Sequence, residues 1–201
     1  EKRPIDVKLN TRATPEMVHA EGFDMVISAL GASPAKPPIP GLDKPHVMVA
    51  TESMIHPETV GHNVVVIGGG EVGVEAGMNL AQKGHEVTVL EMTHMLAPES
   101  TAIHYYSMFK DAWEKLPGFH SVVKATVTAV EDDRVTYLDA EGVEHAIPCD
   151  SVVISLGMRA KTDEALAFSS TADRFAIIGD CKKPATVQQA MRQAYAVAHS
   201  I

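Results

Sequence analysis

Cysteine is scarce in this sequence: there are two among 201 residues, Cys149 and Cys181, far apart and in no C-x-x-C pair. Such spacing signals neither a redox dithiol nor a zinc or iron–sulfur site. The ten histidines show no ligand spacing of the H-E-x-x-H kind, so no metal site is expected. No apolar run is long enough to span a bilayer, and the opening Glu1-Lys-Arg-Pro-Ile-Asp6 has no apolar signal-peptide core. A cytoplasmic location without a membrane partner is therefore expected. Basic residues are outnumbered, 17 Lys and Arg against 26 Asp and Glu, and the net charge of −9 argues against nucleic acid as a partner. With 45% hydrophobic and 21% charged residues, the chain can bury a real core in one large or two small domains.

What is present is a dense run of turn chemistry. Val64 to Ile67 is an apolar stretch suited to a buried parallel strand; Gly68, Gly70 and Gly73 follow in the order G-x-G-x-x-G, and helical periodicity begins at Glu71. Gly68 permits the sharp exit from the strand, Gly70 puts no Cβ between the backbone and a pyrophosphate, and Gly73 lets the helix pack closely on the sheet. The stretch Gly68, Gly69, Gly70, Glu71, Val72, Gly73 then offers N–H groups and partial positive charge to phosphates. Beyond Gly84, Glu86 to Leu90 alternate as a second strand ending in Glu91, 18 positions past Gly73. A carboxylate there accepts both hydroxyls of an adenosine ribose and repels a 2′-phosphate, which predicts NAD(H) over NADP(H). Strand, turn, helix, second strand and acid in one βαβ-sized window separate this from an ordinary glycine-rich turn.

Upstream, Ile5, Val7 and Leu9 alternate as a half-buried strand, Thr14-Pro15-Glu16 starts a short helix, and Met25 to Leu30 is a second buried strand. Four prolines make 32–41 an extended connector suited to a domain crossing. Downstream, Pro98 to Lys115 has the pattern of a helix with Ala102, Ile103, Met108, Phe109, Ala112 and Trp113 on its core face. From Phe119 the period changes to two, predicting a three-stranded antiparallel meander before a last parallel strand, Ser151 to Leu156. Asp24 to Gly31 and Asp150 to Gly157 share the pattern D-x-V-x-x-x-L-G, which suggests two related domains. Arg174 to Asp180 is a strand ending in Gly-Asp before an Ala-rich helix, and it puts Asp180 where α/β sheets bind ligands.

Taken in order, the connector 28–41, Gly68 to Gly73, Ile154-Ser-Leu-Gly157 and Ile177-Ile-Gly-Asp-Cys181 resemble the pyridine-nucleotide-disulfide-reductase type of two-dinucleotide-binding flavoprotein. Gly179-Asp-Cys181, Pro184 and Ala190-Met-Arg-Gln-Ala-Tyr195 more closely resemble the C-terminal part of the 2-enoate reductase and 2,4-dienoyl-CoA reductase (NADH:flavin oxidoreductase/NADH oxidase) family. The resemblance implies an α/β fold, a three-layer Rossmann-like NAD(P)-binding domain with an antiparallel β-meander at 57–164, inserted in a partial FAD-binding domain at 1–56 plus 165–201. It implies that Ala13, Gly31 and Asp180 lie against FAD, that Glu75 lies near the nicotinamide, and that Gly157 and Met158 edge the nicotinamide ribose. It further implies NAD(H) and FAD as cofactors and, as partner in the full-length enzyme, an N-terminal barrel carrying FMN and a 4Fe-4S cluster. The family's first glycine-rich turn, which seats the FAD pyrophosphate, is not in this sequence, and Ala160 stands where relatives carry proline. The chain is therefore expected to be part of a larger enzyme and to show no turnover alone.

The function implied is the NADH-binding, electron-input part of a flavin-dependent oxidoreductase that passes hydride from NADH to FAD for the reduction of activated C=C bonds. Two alternatives stay open: a non-catalytic NAD(H)- or ADP-binding module, and part of another flavoprotein reductase of the same fold. No residue is a candidate catalytic acid or base, since the cofactor carries such chemistry. Tyr106-Ser-Met-Phe-Lys110 matches the Y-x-x-x-K of short-chain dehydrogenases but follows Gly73 by only 33 positions, too close for that arrangement. Cys181 reads as a buried small residue, Glu75 equally as an exposed helix charge, and Asp180 equally as a loop cap.

Overall fold

The computed structural model describes residues 5–98, 100 and 103–200, the side chains of 103–105 excepted. In chain order, helix α1 (Pro15–Ala20) precedes strands β1 (Met25–Ser28), β2 (Ala32–Pro34) and β3 (Val47–Val49) and helix α2 (Ala50–Ile55). Then come β4 (Asn63–Ile67), α3 (Glu71–Gln82), β5 (Glu86–Glu91), α4 (Ile103–Glu114) and β6 (Phe119–Val123). The remainder is β7 (Thr126–Val130), β8 (Arg134–Leu138), β9 (Glu144–Pro148), β10 (Ser151–Ile154), β11 (Met158–Ala160), α5 (Thr162–Leu166), β12 (Arg174–Ile177) and α6 (Val187–Ala198). Two compact units result: an inner one, Pro34–Gly157, and an outer one of the described residues up to Ser33 together with those from Met158. These junctions differ from the expected 57 and 164. The reason is long-range pairing: β3 lies parallel to β10, Val47 opposite Val152, and this draws residues 34–56 into the inner unit.

The inner unit is three-layered. Its sheet runs β3-β10-β4-β5-β6 with every neighbouring pair parallel. A parallel sheet covered on both faces needs apolar side chains on both, and β4 supplies them alternately. Val64 and Val66 enter a cluster with Leu80, Phe109 and Trp113 on the helix side. Val65 and Ile67 enter another with Leu90, Val135 and Tyr137 on the side of the antiparallel sheet β7-β8-β9. The Rossmann-like architecture with a meander layer is thus present.

Helix α4 turns Phe109 and Trp113 inward, their ring centroids 4.9 Å apart and nearly perpendicular, whereas Met108 is 75% exposed. Phe109 and Trp113 are an i, i+4 pair in the helix-side cluster and Tyr106 packs against it, whereas Met108 and the exposed Ala112 fall outside the core face expected of them. Ala102 and the side chain of Ile103 lie outside the described residues.

The outer unit is sparser. β1 and β12 form a two-stranded parallel sheet, and β2 pairs with β11 in a second two-stranded sheet. Helix α6 is capped by Thr186, whose hydroxyl accepts the Gln189 N–H at 3.4 Å. Ile5, Val7 and Leu9 form no strand and are 71%, 66% and 79% exposed. Alternation gives a segment the capacity to pair, and the pairing strand must come from elsewhere.

The β8–β9 turn is closed by Asp139, which accepts the Glu141 and Val143 N–H groups at 3.0 and 2.9 Å and lies 2.7 Å from His145 Nε2. The hydrogen bond with His145, followed by that from the Val143 amide, holds the Asp139 carboxyl below its ordinary 3.8. A depressed folded value stabilises fully above the unfolded value and loses its effect as pH falls through the lower one. The gap in urea midpoint between wild type and Asp139→Asn is accordingly expected to narrow as pH drops below about 4.

Candidate functional site

At the end of β4 the chain reverses through Gly68, at φ +102°. A Cβ there would overlap the Ser155 carbonyl oxygen, and a Cβ on Gly73 would overlap the carbonyl oxygen of Gly68. The turn and the first turn of α3 are thus pressed together with no room for a side chain. Gly70 is the N-cap and supplies no side-chain cap; its carbonyl accepts the Val74 N–H at 3.0 Å. The first N–H groups of a helix have no intrahelical acceptor and carry the positive end of the helix dipole. A diphosphate is the natural occupant of such a mouth.

Beside the turn, Glu91 ends β5 and is 8% exposed. One carboxylate oxygen accepts the Gly69 N–H and the other the Thr93 N–H, each at 2.7 Å. A cavity of about 310 Å³ opens here, with Gly68, Gly70 and Glu91 on its polar side and Ile39, Leu90 and Leu156 among its apolar walls. Its dimensions are those of a small-molecule site. Glycine backbone for phosphate, a carboxylate for hydroxyls and apolar walls for a base fit an adenine dinucleotide.

The remaining expected residues are distributed as follows. Glu71 and the 49%-exposed Val72 lie in the first turn of α3, Gly73 is buried against the strand, and Glu75 is half-buried one turn further on. Gly157, at φ +86°, accepts the Ala35 N–H through its carbonyl at 2.9 Å, and Met158 in β11 is 48% exposed. Neither lines the 310 Å³ cavity. Walls that sequence reasoning missed are Thr93 and the Ala125–Val127 segment. The latter is aimed inward by Lys124 at φ +55°, whose N–H donates to the Thr93 carbonyl at 2.7 Å. A left-handed lysine carries no sequence signal.

In the outer unit, Gly31 and Asp180 share a cavity of about 220 Å³ with Gly179 and Thr186. Asp180 also accepts the Ala185 N–H at 3.3 Å, so it caps the loop as well. Ala13 lines a separate cavity of about 530 Å³ with Lys8, Met17 and Phe23. The residues expected against FAD thus occupy two cavities. Among the described residues of this unit, Gly179 at φ +68° follows β12 and opens a short 3-10 turn, and no glycine leads a strand into an α-helix. Cys181 is fully buried with its thiol 3.1 Å from the Ile178 carbonyl, and burial pushes the Cys149 thiol up to about 11. Lys110 pairs with Glu114 at 3.5 Å and Tyr106 packs edge-on to Trp113. Among the described residues no cluster of three or more His, Cys, Asp or Glu could hold a metal ion, and no helix is long and apolar enough to cross a membrane.

A strand, a side-chain-free turn and a helix start opening on a cavity with a carboxylate at its rim define a Rossmann-like dinucleotide-binding protein with a second α/β unit. The pattern of the pyridine nucleotide-disulphide oxidoreductase family matches residues 6–194, and the chain belongs to that family. It is 34% identical over 196 residues to bilirubin reductase of Mediterraneibacter gnavus, covering 97% of this chain and 30% of the relative. It is 31% identical over 199 residues to cinnamate reductase of Clostridium sporogenes, covering 98% and 29%. A solved 2-naphthoyl-CoA reductase has a TM-score of 0.89 at 30% identity, over 98% of this chain and 30% of that one. The chain thus spans less than a third of the length of these relatives. Membership makes it an oxidoreductase-type domain of a flavoprotein, and implies NAD(P)H and FAD as its cofactors.

Proposed function

We propose that this chain is the NADH-binding, electron-input part of a flavin-dependent reductase of activated carbon–carbon double bonds, of the 2-enoate reductase and 2,4-dienoyl-CoA reductase kind. The observation that carries the reading is Glu91 at the rim of the cavity beside the glycine turn. Bound NADH supplies a hydride to FAD. The residues of the chain position that chemistry. The start of α3 holds the diphosphate through its amides, and Glu91 takes the ribose hydroxyls. Each carboxylate oxygen accepts one amide and has a further lone pair to offer. A 2′-phosphate would meet the same negative charge at close range and be disfavoured.

In this reading Glu75, Gly157 and Met158 edge the nicotinamide half, while Ala13, Gly31 and Asp180 touch FAD. In the full-length enzyme the electrons would be destined for an N-terminal barrel carrying FMN and a 4Fe-4S cluster, and the whole would work in the cytoplasm. Support for the enoate class comes from relatives named for cinnamate, bilirubin and 2-naphthoyl-CoA, all conjugated molecules. The glycine turn and Glu91 also fit a second reading for the chain by itself, a module that binds NAD(H) without turnover.

A thermal-shift comparison tests the reading. NADH at a hundred times its Kd is expected to stabilise the chain by about 2.7 kcal/mol, which raises Tm by roughly 5–10 °C at this size. NADPH at equal concentration should do much less, and equal shifts would remove Glu91 from the role given to it.

A further inference from the structure

We infer that Glu91 is also a positioning residue for the phosphate turn, so that one carboxylate sets the shape of the diphosphate site while reading the ribose. The inference rests on the proposal that the cavity takes the adenosine diphosphate half of NADH. The peptide groups around Gly69 are held from both sides. Its N–H donates to Glu91 Oε2 at 2.7 Å and its carbonyl accepts the Ala97 N–H at 2.7 Å. The other carboxylate oxygen accepts the Thr93 N–H, also at 2.7 Å. Glu91 therefore ties the turn to the exit of β5, across two walls of the same cavity. The β5 exit is itself anchored: the Lys124 N–H donates to the Thr93 carbonyl at 2.7 Å and the Ala125 N–H to the Glu91 carbonyl at 2.9 Å.

Packing points the same way. A Cβ on Gly69 would lie 2.8 Å from Glu91 Cβ, so the stem of Glu91 occupies the space beside a residue that has no side chain of its own. Three consecutive glycines have the widest backbone freedom of any sequence. A fixed acceptor on the middle one narrows that freedom, and hydrogen bonds to a carboxylate are the strong kind. Glu91 fixes the peptide that joins Gly68 to Gly69, and the Ala97 amide fixes the next one, which carries the Gly70 N–H. Without the carboxylate the first of these peptides is free to turn, and ligand binding would have to order it.

The test compares Glu91→Ala and Glu91→Gln with wild type. In the ligand-free chain, amide hydrogen exchange at Gly69 and Thr93 is expected to accelerate by about tenfold or more in Glu91→Ala, while Val66 in β4 keeps its rate. Glu91→Gln keeps one acceptor oxygen, so only one of the two amides should speed up; it serves alone if the alanine variant does not fold. Displacement of NADH by adenosine and by ADP supplies a readout that looser packing elsewhere would not move. If the carboxylate acted on the ribose alone, its loss would weaken adenosine at least as much as ADP, because only ADP is relieved of repulsion from that charge. Positioning predicts that ADP loses about tenfold more than adenosine, even though removing a negative charge beside a diphosphate favours ADP. Unchanged exchange, or equal factors, overturns the inference. An unaltered preference for NADH over NADPH in the variants would instead overturn the ribose assignment and leave the exchange result standing.

Discussion

A Gly73→Ala variant is expected to lose NADH affinity by a factor of a hundred or more and to melt several degrees lower. The added methyl would overlap the Gly68 carbonyl oxygen and come 3.1 Å from Ser155 Cβ. The first belongs to the turn and the second to the residue that follows β10, both held by backbone hydrogen bonds, so the start of α3 has to move outward. Overpacking of this kind costs about 1–3 kcal/mol, or roughly 2–12 °C in Tm for a chain of this length. The loss of binding is the larger effect. A helix start displaced by about 1 Å no longer aims its amides at the phosphates, and misplacement on that scale costs roughly a hundredfold where orientation matters. Titration of the intrinsic fluorescence of NADH measures it; an affinity within about threefold of wild type would show that the turn is not the phosphate site.

Leu80→Ala is expected to show the reverse pattern. Leu80 is fully buried two turns beyond Gly73, in the cluster that joins α3 to the sheet. Truncating such a leucine costs about 2–5 kcal/mol, which thermal denaturation reads as a fall of roughly 4–20 °C. The glycine turn and Glu91 are untouched, so the Kd for NADH stays close to wild type, and saturating NADH restores part of the lost stability. Together the two variants separate recognition from packing along one helix. Equal losses of affinity in both would mean that the binding defect follows from instability alone.

The parts of this fold legible in the sequence were those written in short-range pattern. Val64 to Ile67 is apolar without interruption because both faces of β4 are covered, and Gly68 and Gly73 are glycines because backbone atoms fill the space a side chain would need. Glu91 was legible for the same local reason, as the last residue of the next strand. What was not legible depended on partners far away in sequence. The pairing of Val47 with Val152 places residues 34–56 in the inner compact unit, and no property of those residues announces it. Ile5, Val7 and Leu9 carry the alternation of a strand and pair with none. The cavity wall at Ala125–Val127 depends on one backbone angle at Lys124, which many residue types could have refused. Ala13, Gly31 and Asp180 were named through resemblance alone, and no local pattern tells which cavity each one lines.

The order of strands in the inner sheet has a consequence for synthesis. β10 slots between β3 and β4, although about a hundred residues of chain separate its pairing partners Val47 and Val152. As the polypeptide leaves the ribosome, β4, β5 and β6 can assemble early, but the apolar margin along Val64–Ile67 stays uncovered until Ser151–Ile154 emerges. Closure over such a span is slow, and a bare margin of this kind invites association with other nascent chains. A chain arrested before Ser151–Ile154 has emerged therefore holds β4 with one side of its backbone unpaired.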